Sequence, residues 1–359
     1  MKKNLYIVRK EYDGFGGAEN VAKRYVDGFN KQFFCNLIFA GCQLEGFKFA
    51  GTKGPGWYKS ISFANSVNRF FAKKKDSIIF SMTRGVSGTV FRMGDGVHNQ
   101  WLKRNKTGLI KRHVNPSHFS TPFLEKRSIQ NSKWIVPNSE LIKREVLSEY
   151  KVESRSLKVI HNGYSSKSFQ FADEHQRLQL KKLQKINKSE LTLFFCANGW
   201  KRKGLTHAIQ FLSQLASLRK CHLWVAGRGD RKSHQRIAQK LGVSNCITFL
   251  GSISDTSTWY KTADLFVLPT QYDPFSNSCL EALACGCPVL TTSSNGASEC
   301  INWANGLVID NQDSISSGSV LQCIQSLINL PRKEISNSIH NLTSEKEISS
   351  YIKLITSDG

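Results

Sequence analysis

Short apolar runs bounded by glycine and polar turns recur along the chain, and between them apolar residues return every three or four positions. LYIV (5–8), FFCNLIFA (33–40), SIIF (77–80) and WIVP (134–137) read as strands. Between them, AENVAKRYVDGF sets Ala18, Val21, Ala22, Tyr25 and Phe29 on one helical stripe. SFANSVNRFFAKK (62–74) and SELIKREVLSEY (139–150) repeat that spacing, with Ser139 placed to cap the second. LKVI and the turn HNGY (157–164) close this half as a further strand and turn.

After a polar, Gln- and Lys-rich stretch the alternation resumes and becomes more regular. LTLFFCA (191–197), HLWVAG (222–227), CITFL (246–250), DLFVLP (264–269) and PVLTT (288–292) read as strands. Helical patterns fall at 204–218, 233–241, 255–262 and 277–285. Strands separated by helices of this length make parallel sheets, so the expected class is α/β with two doubly wound, Rossmann-like domains. The expected boundaries are 1–165 for the first domain, 166–190 for a linker and 191–340 for the second domain, with 341–359 a helix packing back on the first. Such domains bind ligands outside the carboxyl ends of their strands, and two of them facing one another leave a cleft there.

Charge divides the halves. Residues 1–188 hold 35 Lys and Arg against 14 Asp and Glu, and residues 189–359 hold 15 against 13. The first half therefore calls for an anionic partner: nucleic acid, an anionic membrane surface, or a phosphorylated glycolipid within one. The ten cysteines form no CxxC pair and no zinc spacing, which suits reduced thiols in the cytosol. No apolar run approaches the length of a spanning helix, and MKKNLYIVRK lacks a signal-peptide core.

Candidate chemistry concentrates in loops after predicted strands. In DPFSNSCLEALACGCPV, Asp273 precedes a short helix that begins near Phe275, Ser276 and Asn277, and Glu281 follows two turns later. A carboxylate beside a helix N-terminus suits a sugar or phosphate, and a second one can accept hydrogen bonds from vicinal hydroxyls, so the pair points to a nucleotide sugar. In ANGWKRKG, Arg202 and Lys203 stand just before a helix expected to begin near Gly204, where a diphosphate fits. GRGD brings Gly227 and Arg228 to a glycine turn, and the main chain around Ile253 in FLGSIS can read a flat base edge. Gly16 and Gly17 form the turn after the first strand. In RMGDGVHNQW, Asp95 and His98 are the candidates to accept or orient a proton from an acceptor hydroxyl, and WLKRNKTGLIKRH continues as a basic aromatic patch suited to lipid headgroups. GxGxxG is absent, which argues against a dinucleotide oxidoreductase.

These motifs taken together resemble the retaining glycosyltransferases of family 4, which have the two-domain GT-B architecture. The matching residues are Arg202 and Lys203, the glycine turn after HLWVAG, TFLG, WYKTADLFVLPT, the carboxylate pair, LEALACGCPVLTT and NGASE. The resemblance implies that Asp273, where Glu is common, contacts the donor hexose, and that Glu281 binds the nucleotide ribose. It implies that main-chain groups at Phe275, Ser276 (commonly Gly) and Asn277 approach the sugar and diphosphate. RKG and GGAE look like the lipopolysaccharide-core glucosyltransferases, in which Gly16 and Gly17 would let backbone approach the donor phosphates and the acceptor.

The expected activity is thus transfer of a hexose, with retention, from a nucleotide diphosphate sugar, UDP-linked, to a glycolipid such as the lipopolysaccharide core. Expected catalytic residues are Asp95, His98, Arg202, Lys203 and Asp273, and the chain contains no DxD, so no metal and no cofactor are expected. The expected location is the cytoplasm, on the inner face of the membrane. Other donors, UDP-N-acetylhexosamine or GDP-mannose, and an epimerase or phosphorylase on the same scaffold stay open. A nucleic-acid-binding protein would use the basic first half but leaves the carboxylate pair unexplained, so no nucleic acid is expected.

Overall fold

The computed structural model describes residues 2–12, 17–74, 76–105, 114–187 and 189–357. It divides the chain into two compact units, Met1–His161 with Glu345–Gly359, and Asn162–Ser344. The first unit is built on strands β1 (Asn4–Val8), β2 (Phe34–Ile38), β5 (Ile78–Ser81), β6 (Val90–Met93) and β7 (Trp134–Pro137), in the order β2-β1-β5-β6-β7. All its pairings are parallel, with Leu5 between Cys35 and Ile78. A small antiparallel hairpin, β3 (Gln43–Leu44) and β4 (Phe47–Lys48), branches from it.

Alternation along the strands sends side chains to two separate cores. Leu5, Ile7, Phe80 and Val90 pack with Tyr25 and Phe29 of the helix Gly17–Phe29, and with Tyr351. Tyr6, Val8 and Ile79 face the other way, onto Phe63 and Val67 of the helix Gly56–Phe71. Burial on both faces is what a parallel sheet requires, and it explains why β1 reads as an unbroken apolar run.

Tyr351 comes from the last helix, Ser344–Thr356, so the C-terminal segment belongs to the first unit. Its Glu347 is buried, accepts a hydrogen bond from the Tyr25 hydroxyl and pairs with Arg24 at 3.7 Å. Gly28 allows the approach, since a Cβ there would lie 2.4 Å from Ile348 Cδ1.

The second unit carries β8 (Leu191–Cys196), β9 (Cys221–Ala226), β10 (Ile247–Gly251), β11 (Leu265–Leu268), β12 (Val289–Thr292) and β13 (Gly306–Ile309), in the parallel order β10-β9-β8-β11-β12-β13. Strand order reverses between β1 and β5 in the first unit and between β8 and β11 in the second, the places where doubly wound sheets open a crevice.

Two sequence expectations change. Residues 166–190 are not a free linker: the helix Glu174–Leu183 belongs to the second unit, its start fixed by a capping box between Asp173 and Gln176. Arg177 and Lys181 on that helix both hold Asp264, whose carboxylate also accepts the Thr192 N–H at 2.7 Å. LKVI is not a full strand either, because only Leu157 bridges to Ile135 of β7.

Candidate active site

The best-defined polar constellation lies where the loops leaving β8 and β11 meet. After β8 the chain makes a single helical turn, Trp200–Lys203, between Gly199 and Gly204, both left-handed with φ of 74° and 84°. Gly204 has no alternative, because a Cβ there would stand 1.9 Å from the Pro269 carbonyl oxygen. The helix expected near Gly204 does begin there, as Leu205–Ala216 with Gly204 as its N-cap, and the two cations stand before it as expected. The left-handed glycine cuts the cations off from the longer helix Leu205–Ala216 and leaves them on their own turn.

That turn is stitched to the loop after β11. Arg202 Nη1 donates to the Tyr272 carbonyl at 2.7 Å, and the Arg202 carbonyl accepts the Gln271 N–H at 2.9 Å. Lys203 pairs with Asp273, with side chains only 12% and 9% exposed. Two sequence-predicted residues seventy positions apart are thereby joined in one buried ion pair.

Beyond Asp273 the chain enters the helix Asn277–Ala284. Asp273 Oδ1 accepts the Phe275 N–H at 3.2 Å, and Asn295 Oδ1 accepts the Ser276 N–H at 3.1 Å. The N–H groups expected to meet a donor at these two residues are therefore engaged within the second unit, one by Asp273 and one by Asn295. Asn277 Oδ1 accepts from Asn162 Nδ2 at 2.8 Å. Glu281 accepts the Tyr260 hydroxyl on Oε2 at 3.2 Å. Burial, then Cys196 and Glu281, hold the Tyr260 phenol far above its ordinary range, so it stays a donor. Burial and the Glu281 charge likewise push the Cys196 thiol up to about 12.

The loops after β9 and β10 complete this edge. Gly227, with φ of 101°, passes so close to β8's exit that a Cβ would meet the Ala197 carbonyl oxygen at 2.0 Å. Arg228 donates its N–H to Asn198 Oδ1 at 2.9 Å and its Nε to Ser252 Oγ at 3.1 Å, one residue before the half-buried Ile253. Sequence reasoning passed over Asn198, Ser252, Tyr260 and Asn295. Asn198 and Asn295 lie inside the quoted motifs ANGWKRKG and NGASE, and an amide's paired donor and acceptor capacity was the available signal.

In the first unit the predicted residues come together only in part. Gly16 lies outside the described residues, as do 106–113 of the basic aromatic patch, while Gly17 opens its helix. The patch's Lys103 and Arg104 pair with Glu149 and Glu145. Asp95, with a side chain 57% exposed, stands 3.8 Å from both Arg9 and Arg84. His98 does not line the pocket that holds Asp95. Its Nε2 lies 3.2 Å from His118 Nδ1 and its ring stacks on Trp101. Burial, followed by Arg84 and His118, lowers His98 to about 4, so the ring is neutral near pH 7.

Two doubly wound parallel domains, one with paired cations and carboxylates at its strand-order reversal, define the GT-B class of fold. Residues 176–354 match the family model of glycosyl transferases group 1, and this stretch is a domain of that family. It is similar to an uncharacterized glycosyltransferase of Methanocaldococcus jannaschii, 29% identical over 202 residues, 54% of this chain and 52% of that protein. It is also similar to the lipopolysaccharide glucosyltransferase WaaG of Escherichia coli, 29% identical over 164 residues, 45% of this chain and 44% of that protein. The chain thus spans about half, or less, of the length of the curated relatives it matches. Among solved structures, WaaG superposes with a TM-score of 0.80 at 18% identity, covering 98% of this chain and 99% of that one. Anabaena HepE in complex with UDP and glucose superposes at 0.72 and 14% identity, covering 99% and 100%.

Proposed function

We propose that the protein is a retaining glycosyltransferase that moves a hexose from a UDP-linked donor to a hydroxyl of a membrane glycolipid of the lipopolysaccharide-core kind. The observation that carries this reading is the joining of Arg202, Lys203 and Asp273 at the strand-order reversal of a group 1 glycosyl transferase domain, with the helix bearing Glu281 directly after them. WaaG's name as a lipopolysaccharide glucosyltransferase and the UDP and glucose bound by HepE support the choice of donor and acceptor class.

In this mechanism Lys203 and Arg202 meet the charge that grows on the departing diphosphate, a term that costs little reorganisation because the groups are fixed beforehand. Asp273 accepts from hexose hydroxyls and Glu281, oriented by Tyr260, from the ribose. The cations and the start of the helix Asn277–Ala284 meet the diphosphate without a metal. The acceptor hydroxyl attacks on the face from which the diphosphate leaves, and Asp95 orients or takes its proton.

A location at the membrane surface is supported by exposed aromatic side chains on two neighbouring helices of the first unit. Tyr58 on Gly56–Phe71 is 50% exposed, and Phe119 and Phe123 on Ser117–Asn131 are 58% and 62% exposed. Aromatic residues on a basic surface suit the headgroup region of an anionic bilayer. No helix among the described residues is long and apolar enough to cross a membrane.

The deciding experiment incubates the protein with UDP-, GDP- and ADP-sugars, with and without a lipopolysaccharide-type acceptor, and measures the nucleotide released. Acceptor-dependent release of UDP is expected, and release of none of the three in any mixture defeats the reading. Asp95→Ala should abolish turnover while UDP binding persists; unchanged turnover removes Asp95 from the mechanism.

A further inference from the structure

The first unit has its own crevice at its strand-order reversal, a cavity of about 160 Å³. Arg9 and Lys10 follow β1, Thr83 and Arg84 follow β5, and Asp95 follows β6. The Lys10 N–H donates to Thr83 Oγ1 at 2.9 Å, which ties the first two loops together. Arg84 gives its Nε to the buried Glu125 at 2.6 Å and its Nη2 to the Gly96 carbonyl at 2.8 Å. Its Nη1 faces Asp95 Oδ2 from 3.8 Å, and Arg9 Nη1 faces the same oxygen from the same distance. Both separations exceed hydrogen-bond range. Arg9 Nε is buried with no hydrogen-bond partner, and its Nη1 lies 3.4 Å from the Met82 carbonyl.

The Lys10 ammonium adds a third charge, donating to Ser60 Oγ at 2.9 Å and pairing with Glu11 at 3.0 Å. Three carboxylates stand against these three cations. Glu125 is committed, since Arg84 and the Tyr150 hydroxyl both donate to it. Glu11 and Asp95 have side chains 71% and 57% exposed and can turn outward.

We infer that this cavity is a phosphomonoester site and that the acceptor sugar carries a phosphate. Two guanidinium groups aimed at one point, with an ammonium beside them, match a tetrahedral dianion with several acceptor oxygens. A neutral sugar makes no use of such a convergence. Asp95 stands too far from either arginine to hydrogen-bond with it, so a phosphate can engage both guanidinium groups beside that carboxylate. The word acceptor rests on the glycosyl-transfer reading; the phosphate site itself does not.

The test is calorimetric titration of the full chain with glucose 6-phosphate, inorganic phosphate, glucuronate, glucose and, separately, UDP. Glucose 6-phosphate and inorganic phosphate should bind, glucose should not, and glucuronate should bind more weakly than the phosphates. Arg9→Gln should lower the phosphate affinities at least tenfold and leave UDP affinity unchanged, which also reports that the variant is folded. Asp95→Asn, which removes the competing carboxylate, should raise phosphate affinity several-fold, an effect that a purely structural role for Asp95 does not produce. Phosphate binding that survives Arg9→Gln, or glucose binding equal to that of its phosphate, overturns the site. If Arg9→Gln weakens UDP as much as glucose 6-phosphate, the cavity serves the donor's diphosphate and the acceptor assignment is wrong. Absence of UDP binding in the unaltered chain defeats the donor reading while leaving the phosphate titration readable.

Discussion

The two units share a parallel doubly wound sheet, and each reverses strand order beside its first strand, yet the two reversals are finished differently. In the second unit the loops are locked: Lys203 holds Asp273, Arg202 holds the Tyr272 carbonyl, and Asn295 holds the Ser276 N–H. In the first unit Arg9 and Arg84 face Asp95 without reaching it, and that carboxylate is mostly in solvent. One fold thus supports a site whose polar groups satisfy each other and a site in which two guanidinium groups, one of them with a buried unpartnered Nε, face a carboxylate beyond hydrogen-bond reach. A locked site is preorganised and loses little entropy when a ligand arrives, whereas an unsatisfied one gains its hydrogen bonds only from the ligand.

The largest effect that would break this contrast is Lys203→Ala. It leaves the 6%-exposed Asp273 without its cation, a loss of roughly 3–5 kcal/mol in stability for a broken buried pair, and transfer should fall roughly 10²- to 10³-fold. Thermal unfolding and single-turnover rates check both numbers. Sugar-phosphate binding by the first unit should persist below the new melting point.

Gly204→Ala comes next. The left-handed backbone and the overlap with the Pro269 carbonyl should together cost roughly 3 kcal/mol or more, read as a lower denaturation midpoint of the second unit. A Gly199→Ala control, where a Cβ meets nothing within 4 Å, should cost only the backbone part, about 1–2 kcal/mol. Equal losses in the two variants would show that the stitching to Pro269 contributes nothing.

On the proposed contact of Glu281 with the ribose, Glu281→Gln should weaken UDP binding about tenfold, since the vicinal hydroxyls would lose a charged acceptor. Tyr260→Phe should weaken it by less, because Tyr260 only orients Glu281.

A further effect concerns pH. His98 is depressed to about 4 in the folded chain, so the unfolded chain binds the extra proton first. Stability should therefore be full above about pH 6.5, the ordinary value for histidine, and decline as pH falls from there toward 4. His98→Gln should flatten that slope in a pH series of denaturation midpoints, and an unchanged slope would assign it to other groups.

The second unit was the more legible in sequence for a physical reason. Its polar constellation is built from contiguous motifs on loops that directly follow apolar strands, so Asp273, Glu281, Arg202 and Lys203 announce themselves locally as candidates. The Lys203–Asp273 pair joins positions that only the strand order brings together. Asn295 acts through its side-chain amide on a loop nineteen residues away. The segment taken for a linker misled because its polar helix is held by ion pairs from Arg177 and Lys181 to Asp264 in place of an apolar stripe. In the first unit the excess of positive charge was plain, but which cations are spoken for was not. Lys103 and Arg104 pair with Glu149 and Glu145, some forty residues later.

The return of the last helix to the first unit has a consequence for how this chain comes into being. A ribosome makes β1 more than three hundred residues before Tyr351, yet the two share one core. The second unit lies wholly between them in sequence, so it can complete its own core while one face of the first sheet still waits for its cover. The second unit can therefore finish before the first, and a chain truncated and released after residue 344 should hold a complete second unit beside a first unit lacking the helix that bears Tyr351.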